Sequence, residues 1–373
     1  MERLRVGVIG LGFIGSVHVE AIRRLGYAEV YAVCDVDRER AAQLSIERCY
    51  ENYTDIINDP SIDIIHNCTP NHLHYEINRM AIEKGKHVFS EKPLAMNAAE
   101  SGALLKLLET HPVYNAVNHN YRMYHNVQKM IARVRNGKIG VPHLVHGSYL
   151  QDWLLYDTDY NWRLEPQYGG ATRAVADIGS HWCDLAQMIV GSRIAEVFAD
   201  LKTVIPVRKQ IVKTPDGETV REIPMQTEDF ASVMLRFENG VSGVFYVSQV
   251  SAGRKNYLDI EVNGSKGSLH WNQENCDRLW HGRRDGENTY AIREAATNEV
   301  GLKLDSLPAG HAEGWSEGLR NNIALFYTDI INGTHEGGYA TMRDGHEMML
   351  VLEAILKSSQ TEQWQKVARD EVL

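Results

Sequence analysis

The sequence predicts an α/β chain in two domains: a parallel-sheet domain over residues 1–123, then an α+β domain over 124–373 built on a large mixed or antiparallel sheet. Three observations predict it. From Leu4 to about Tyr121, short β-branched runs alternate with helix-length stretches, the pattern of βαβ units. A glycine-rich turn directly follows the first of those runs. Beyond about Met123 the pattern changes to residue-by-residue alternation punctuated by Asn-Gly pairs.

The first domain reads as strands at Arg5–Ile9, Glu29–Cys34, Ile62–Cys68, His87–Phe89 and Val113–Asn118. Helical stretches fall between them at Val17–Leu25, Arg38–Leu44, Leu73–Lys84 and Asn97–Glu109, the last two ending in Gly85 and His111-Pro112. A helix over Asn126–Arg135 opens the second domain. Strands follow at Phe230–Phe237, Gly243–Val247, Leu258–Val262 and Ser268–Trp271, with Asn239-Gly240 and Asn263-Gly264 read as hairpin turns. Helices return at Trp315–Ile331 and Met342–Lys357.

The chain has 373 residues, 43% hydrophobic and 24% charged, which is ordinary globular composition and enough for two cores. A formal net charge of -10 with no basic cluster to reverse it locally repels a polyanion, so nucleic acid is excluded as a partner. The apolar run Val6–Gly15 is interrupted by glycines and far short of the roughly 20 residues a membrane helix needs, so no membrane role is expected. Five cysteines (Cys34, Cys49, Cys68, Cys183, Cys276) in no metal-ligand spacing point to a cytoplasmic protein with reduced thiols.

Gly10-Leu11-Gly12-Phe13-Ile14-Gly15 sits between the first strand and the first helix, the context a dinucleotide-binding fingerprint requires. The first glycine makes the tight turn, the second lets backbone approach a pyrophosphate, and the third lets helix and strand pack. The helix N-terminus adds free N–H groups and partial positive charge. Asp35, about twenty residues past the last glycine, ends the second strand, where a carboxylate accepts from both ribose hydroxyls. A 2′-phosphate would meet like charge there, which favours NAD over NADP, and Arg38 nearby softens that preference. The plain alternative is a tight turn and a strand-end aspartate. The fold class is therefore a Rossmann domain followed by an α+β domain.

Two further motifs bear on chemistry. Glu91-Lys92-Pro93 follows the strand His87–Phe89 at the carboxyl edge of the sheet, where open α/β folds bind ligands. Lys92 there is either a group directed at the cofactor or a solvated lysine before a proline. Asp177-Ile178-Gly179-Ser180-His181-Trp182-Cys183-Asp184 runs into the apolar Leu185–Val190. On a helix, Asp177 and His181 share a face, with Asp184 three further on. A carboxylate beside an imidazole fixes its tautomer and stabilises its cation, which makes a general base near neutral pH. An aspartate N-cap with a core histidine is the plain alternative. A metal set of Asp177, His181 and Asp184 is the other, although nicotinamide chemistry needs none, and no metal is expected.

Together with Thr69-Pro70-Asn71-His72-Leu73-His74 and Asn120-Tyr121-Arg122, these motifs resemble the glucose–fructose oxidoreductase, inositol dehydrogenase and rhizopine-catabolism (Gfo/Idh/MocA) family over essentially the whole chain. The resemblance implies a catalytic centre of Lys92, Asp177 and His181. In that scheme His181 takes the hydroxyl proton, hydride leaves the same carbon for nicotinamide, and Lys92 polarises the oxygen. It also places Gly10, Gly12, Phe13, Ile14, Gly15, Asp35, Thr69, Pro70, Asn71, His74, Glu91, Lys92 and Asn120 around the cofactor. The chain departs from the family's glycine-rich version at Ala171–Ala176, which leaves the role of Arg173 to the structure.

Gln151-Asp152-Trp153 and Tyr160-Asn161-Trp162-Arg163 are rich in sugar-binding chemistry: indole faces stack on pyranose C–H faces, and amides and guanidinium fork to vicinal hydroxyls. Arg122, Gln151, Trp153, Trp162 and Arg163, with Asp177 and His181, are the expected substrate contacts, the tryptophans being core aromatics on the plain alternative. His311-Ala312-Glu313-Gly314-Trp315 either closes a pocket or starts a helix. The expected function is NAD(P)-dependent oxidation of a secondary hydroxyl of a sugar, anhydrosugar, glycoside or cyclitol. An NAD-dependent glycosidase and a non-catalytic NAD-binding regulator are the competing readings. A large sheet with one uncovered face, together with the resemblance, implies a homodimer or homotetramer formed through the second domain.

Overall fold

The computed structural model describes residues 3–214, 217–293 and 304–369. It begins with β1 (Leu4–Ile9), α1 (Phe13–Leu25), β2 (Ala28–Cys34), α2 (Arg38–Gln43), β3 (Cys49–Tyr50), α3 (Tyr53–Asn58), β4 (Ile64–Asn67), α4 (His74–Glu83), β5 (His87–Ser90), α5 (Ala98–Thr110) and β6 (Asn115–Val117). Next come α6 (His125–Arg135), β7 (Pro142–Leu150), α7 (Pro166–Gly169), α8 (Ser180–Val190), β8 (Ile194–Lys202), β9 (Val207–Thr214) and β10 (Gly217–Pro224). The remainder is β11 (Phe230–Phe237), β12 (Ser242–Ser248), β13 (Tyr257–Gly264), β14 (Gly267–Asn272), β15 (Arg278–Gly282), β16 (Thr289–Ile292), α9 (Trp315–Asn332), α10 (Met342–Thr361) and β17 (Gln365–Lys366).

Two compact units form, one of Met1–Tyr124 with Gly314–Met349 and one of His125–Glu313 with Leu350–Leu373. The sequence reading carried everything after residue 123 in the second domain. The structure returns α9 and the first turns of α10 to the first unit, where Leu319, Ile323, Phe326 and Tyr327 are fully buried. An apolar helix face does not say which sheet it will cover, and so the sequence left this return unread.

In the first unit a parallel six-stranded sheet runs β3-β2-β1-β4-β5-β6. Its order reverses between β1 and β4, the switch point outside whose carboxyl ends ligands bind in such sheets. Helices on both faces make these strands continuous apolar runs: Val6, Val8, Ile64 and Ile65 are completely buried. α1 starts at Phe13, four residues before the expected Val17, because Gly12 is itself the N-cap, and it ends on Gly26 in the left-handed region. β3 and α3 escaped the sequence reading: a two-residue strand and a six-residue helix, the latter capped by Asn52, are too short to carry a period.

The second unit is a nine-stranded sheet in the order β16-β15-β14-β13-β7-β12-β11-β8-β17, with β9 and β10 paired separately. All its pairings are antiparallel except β12 with β7. Asn239-Gly240 does join β11 to β12. At the next hairpin, however, Asn263 pairs with Ser268 and Gly264 with Gly267, so the turn is Ser265-Lys266. Gly264 serves another need, since a Cβ there would lie 2.3 Å from the Ile139 carbonyl oxygen. Trp182 of α8 stacks on Phe245 at 4.6 Å between ring centres and donates to the Asp259 carbonyl at 3.0 Å. Gly147, at φ 158°, makes room for it: a Cβ would sit 2.9 Å from the indole nitrogen. No helix of the described residues is long and apolar enough to cross a membrane.

Candidate functional site

At the carboxyl end of β1, Gly10 adopts φ 87°, and a Cβ on it would lie 2.7 Å from the Cys68 carbonyl oxygen. Gly15 is tighter, its Cβ falling 1.8 Å from the Gly10 carbonyl oxygen. Gly12 differs: a Cβ there meets nothing within 4 Å, and no side chain caps α1. The fold needs glycine at 10 and 15, whereas the space over Gly12 and the N-terminus of α1 form an open cradle fit for a pyrophosphate. Phe13 beside it is 80% exposed and stacks on Trp315.

Asp35 is buried, and its carboxylate accepts from the backbone N–H of Leu11 at 2.5 Å and of Asp37 at 2.8 Å. It thereby braces the glycine turn, and two accepted hydrogen bonds still leave lone pairs for a ribose. The nearby cation is Arg40, at 3.8 Å, while Arg38 turns away to pair with Glu51.

Thr69 donates its hydroxyl to Asn67 at 2.7 Å, and Asn67 in turn binds Asn78. His74 is buried, its Nδ1 2.6 Å from the Pro93 carbonyl and its Nε2 2.8 Å from that of Thr69. It therefore ties the loop after β4 to the loop after β5, and Pro70 and Asn71 lie within the first of these. Glu91 is buried behind Lys92, accepting from Asn118 at 2.6 Å and from His18 at 2.9 Å. Lys92 is half-buried, and its charge acts on both Glu91 and His74. Asn120 is buried with its amide nitrogen unpartnered among the described residues, an orphan donor of the kind a carboxamide or ribose would satisfy. Arg122 is buried and paired to Asp344 at 3.1 Å, which holds that carboxyl below the usual range against the upward push of burial.

In the second unit Asp177 lies in a π turn over Val175–Gly179 that leads straight into α8, with His181 in the helix's first turn. Asp177 accepts from Gln249 Nε2 at 2.8 Å and faces Arg163 Nε at 3.5 Å. His181 and Asp184 are buried, and the Tyr149 ring is centred 6.4 Å from that of His181. Among the described residues no three His, Cys, Asp or Glu side chains come together as a metal would need.

Trp153 is 36% exposed and donates to Gln151 at 2.8 Å. Gln151 and Tyr149 both donate to Asn256 Oδ1, at 3.0 and 2.5 Å. Trp162 is half-buried beneath the Arg163 guanidinium, 4.3 Å from its ring centre. The core tryptophans are instead Trp182 and Trp271.

Arg173 is a strut. Its guanidinium is fully buried, pairs with Asp229, and donates to the Glu228 carbonyl at 2.9 Å. Arg208 reaches the same Asp229 at 2.8 Å. The Glu228 carboxylate accepts from the backbone N–H of Arg173 and Val175, which anchors the segment that departs from the glycine-rich version. Burial pushes Glu228 up to about 6, against those same hydrogen bonds. His311 is exposed, and its carbonyl accepts from Arg293 at 2.6 Å.

The sequence reading missed His18, His66, Asn118, Tyr149, Glu228, Asp229, Gln249, Asn256 and Tyr327. Only His66 carried a local signal, an imidazole directly after the apolar pair Ile64-Ile65 of a short strand.

Residues 4–119 match the family model described as an oxidoreductase family with an NAD-binding Rossmann fold, and residues 127–270 match the GFO/IDH/MocA C-terminal domain. Levoglucosan dehydrogenase of Pseudarthrobacter phenanthrenivorans is 30% identical over 394 residues, covering 98% of each chain. Myo-inositol 2-dehydrogenase of Thermotoga maritima is 32% identical over 270 residues, 71% of this chain and 74% of that protein. A levoglucosan dehydrogenase structure in complex with NADH and levoglucosan superposes with a TM-score of 0.89 at 28% identity, covering 98% of this chain and 100% of that one.

Proposed function

The chain belongs to the Gfo/Idh/MocA oxidoreductase family, with its NAD-binding Rossmann domain, and from that premise we propose that it oxidises a secondary hydroxyl of a sugar, anhydrosugar, glycoside or cyclitol. One observation carries the reading: Asp177 and His181 stand four residues apart across a continuous helical turn, the carboxylate held by Gln249 and Arg163.

NAD supplies the hydride acceptor when bound. Gly10, Gly12, Phe13, Ile14 and Gly15 receive its pyrophosphate, an assignment the open cradle above Gly12 fits, while the orphan amide of Asn120 suits its carboxamide or ribose. Asp35 accepts from the adenosine ribose. Thr69, Pro70 and Asn71 supply a loop edge, while His74 and Glu91 hold that edge and Lys92 from behind.

His181 acts as general base toward the substrate hydroxyl, with the Asp177 carboxylate stabilising the imidazolium that forms. Lys92 donates to the same oxygen. The half-exposed indoles of Trp153 and Trp162 offer faces for sugar C–H groups, and Gln151 and Arg163 offer donors for hydroxyls. Arg122, committed to Asp344, supports the site through its ion pair. The sugar and cyclitol dehydrogenases among the relatives support the substrate class.

A second copy of the chain covers the open face of the nine-stranded sheet. Met234 and Val244 are directly paired there, and with Tyr246 they stand 42 to 45% exposed. None of the five cysteines forms a disulfide among the described residues, in keeping with a cytoplasmic protein. A panel of sugars, anhydrosugars and cyclitols assayed for NADH and NADPH formation separately tests the reading. Turnover of at least one with NAD supports it; no turnover of any, with NAD still bound, refutes it.

A further inference from the structure

A chain of buried polar groups crosses the core of the first unit, and the proposed mechanism uses only its end. Tyr327 Oη lies 2.8 Å from His66 Nε2, His66 Nδ1 lies 2.8 Å from His18 Nδ1, and His18 Nε2 lies 2.9 Å from Glu91 Oε1. Tyr327, His66 and His18 are fully buried and Glu91 nearly so. His66 is sandwiched against Phe89, ring centres 4.8 Å apart and nearly parallel, so the imidazole cannot turn over without breaking that stack.

The proton positions follow by elimination. Among the described residues the Tyr327 hydroxyl has one partner, His66 Nε2, so its proton points there and that nitrogen accepts. Burial keeps His66 neutral, pushing it well below the ordinary imidazole range. Its single proton is therefore on Nδ1 and is donated to His18 Nδ1. His18 Nε2 in turn donates to the Glu91 carboxylate, which can only accept. Every donor points toward the carboxylate, and Asn118 adds another from the side.

Resting on the reading of Lys92 as catalytic, we infer that Tyr327, His66 and His18 are positioning residues that keep Glu91 an oriented carboxylate beside Lys92. Glu91 is buried, which alone would push it up. The hydrogen bonds from His18 and Asn118 and the charge of Lys92 reverse that push and hold it below the ordinary range. The other titratable groups facing this array are His74 and Cys68 near Glu91, and Tyr27 and Cys68 near Tyr327. Cys68 and Tyr327 are driven well above their ordinary values by burial, so both are neutral at working pH. The array thus fixes one negative charge at Glu91 from about three hydrogen bonds away.

Breaking the relay frees the tautomers. In Tyr327→Phe, His66 Nε2 has no donor, so the His66 proton is free to move there and His18 to reverse, turning an acceptor toward Glu91. In His66→Phe the ring stack survives while both hydrogen bonds vanish. His66→Gln keeps one donor and one acceptor and serves as the conservative rescue.

The test has two readouts on the full chain. Long-range proton–nitrogen spectra of histidine-labelled protein should show His18 protonated on Nε2 and His66 on Nδ1, a pairing that Tyr327→Phe abolishes. In Tyr327→Phe and His66→Phe the acid limb of the kcat/KM profile should move up by about one pH unit, costing about tenfold on that limb, with NAD affinity changed less than about threefold and His66→Gln restoring most of it. His18 protonated on Nδ1, or variants that only lower Tm while their pH profiles overlay wild type, would overturn the proposal. Lys92→Met serves as the control: full activity there defeats the catalytic reading of Lys92, whereas a dead Lys92→Met with unshifted relay variants defeats only the relay.

Discussion

Gln249 Nε2 donates to the Asp177 carboxylate at 2.8 Å from a side chain with no exposed surface. Asp177 accepts and cannot donate, so the amide's orientation is settled, and its oxygen is buried without a partner among the described residues. Gln249→Leu removes a hydrogen bond to a charged group, worth about 1.5–3 kcal/mol. A drop in kcat of roughly 10- to 150-fold is expected, with NAD affinity unchanged. Steady-state kinetics beside NAD titration checks it.

The glycines of the turn separate fold from cofactor. Gly12→Ala places its methyl in open space, so Tm should stay within about 2 °C of wild type while the Kd for NAD rises at least about tenfold. Gly10→Ala must hold alanine at φ 87° and meet the Cys68 carbonyl, so it should lose at least about 2 kcal/mol of stability. Calorimetry of both variants, with and without NAD, distinguishes them.

Glu228 gives a pH-dependent stability term of opposite sign to most carboxylates here. Its folded value is raised from 4.5 to about 6, so the folded state holds the proton more tightly than the unfolded chain. The contribution is fully present below pH 4.5 and lost as pH rises through 6, an effect of about 2 kcal/mol. Glu228→Gln cannot titrate. Its stability relative to wild type should therefore improve by about 2 kcal/mol between pH 4.5 and 7, as read from urea unfolding at the two pH values.

The sheet of the second unit tests assembly. Val244→Glu puts a carboxylate opposite Met234 and two residues from Tyr246. If this face is covered by another copy, light scattering on the variant will report monomers where wild type gives dimers or tetramers. An unchanged mass places the interface elsewhere.

Much of this architecture was legible because it repeats locally. The glycine turn announced itself through spacing and context, and Gly10 and Gly15 meet the steric need that motif encodes. Alternation from Phe230 to Phe237 appears intact as β11. What stayed hidden depends on pairs far apart in the chain. Arg173 meets Asp229 across 56 residues, and Tyr327 meets His66 across 261. Neither end carries a mark of its partner, and polar residues in an apolar run look like blemishes until the fold joins them. Asn263-Gly264 misled for a related reason: Gly264 answers to Ile139, not to a turn.

The account stands most directly on Lys92 and His181. NADH formation from the best sugar or cyclitol substrate should fall by about 10²- to 10⁴-fold in Lys92→Met and in His181→Ala, while each still binds NAD within about threefold of wild type. Either variant turning over at the wild-type rate would contradict it.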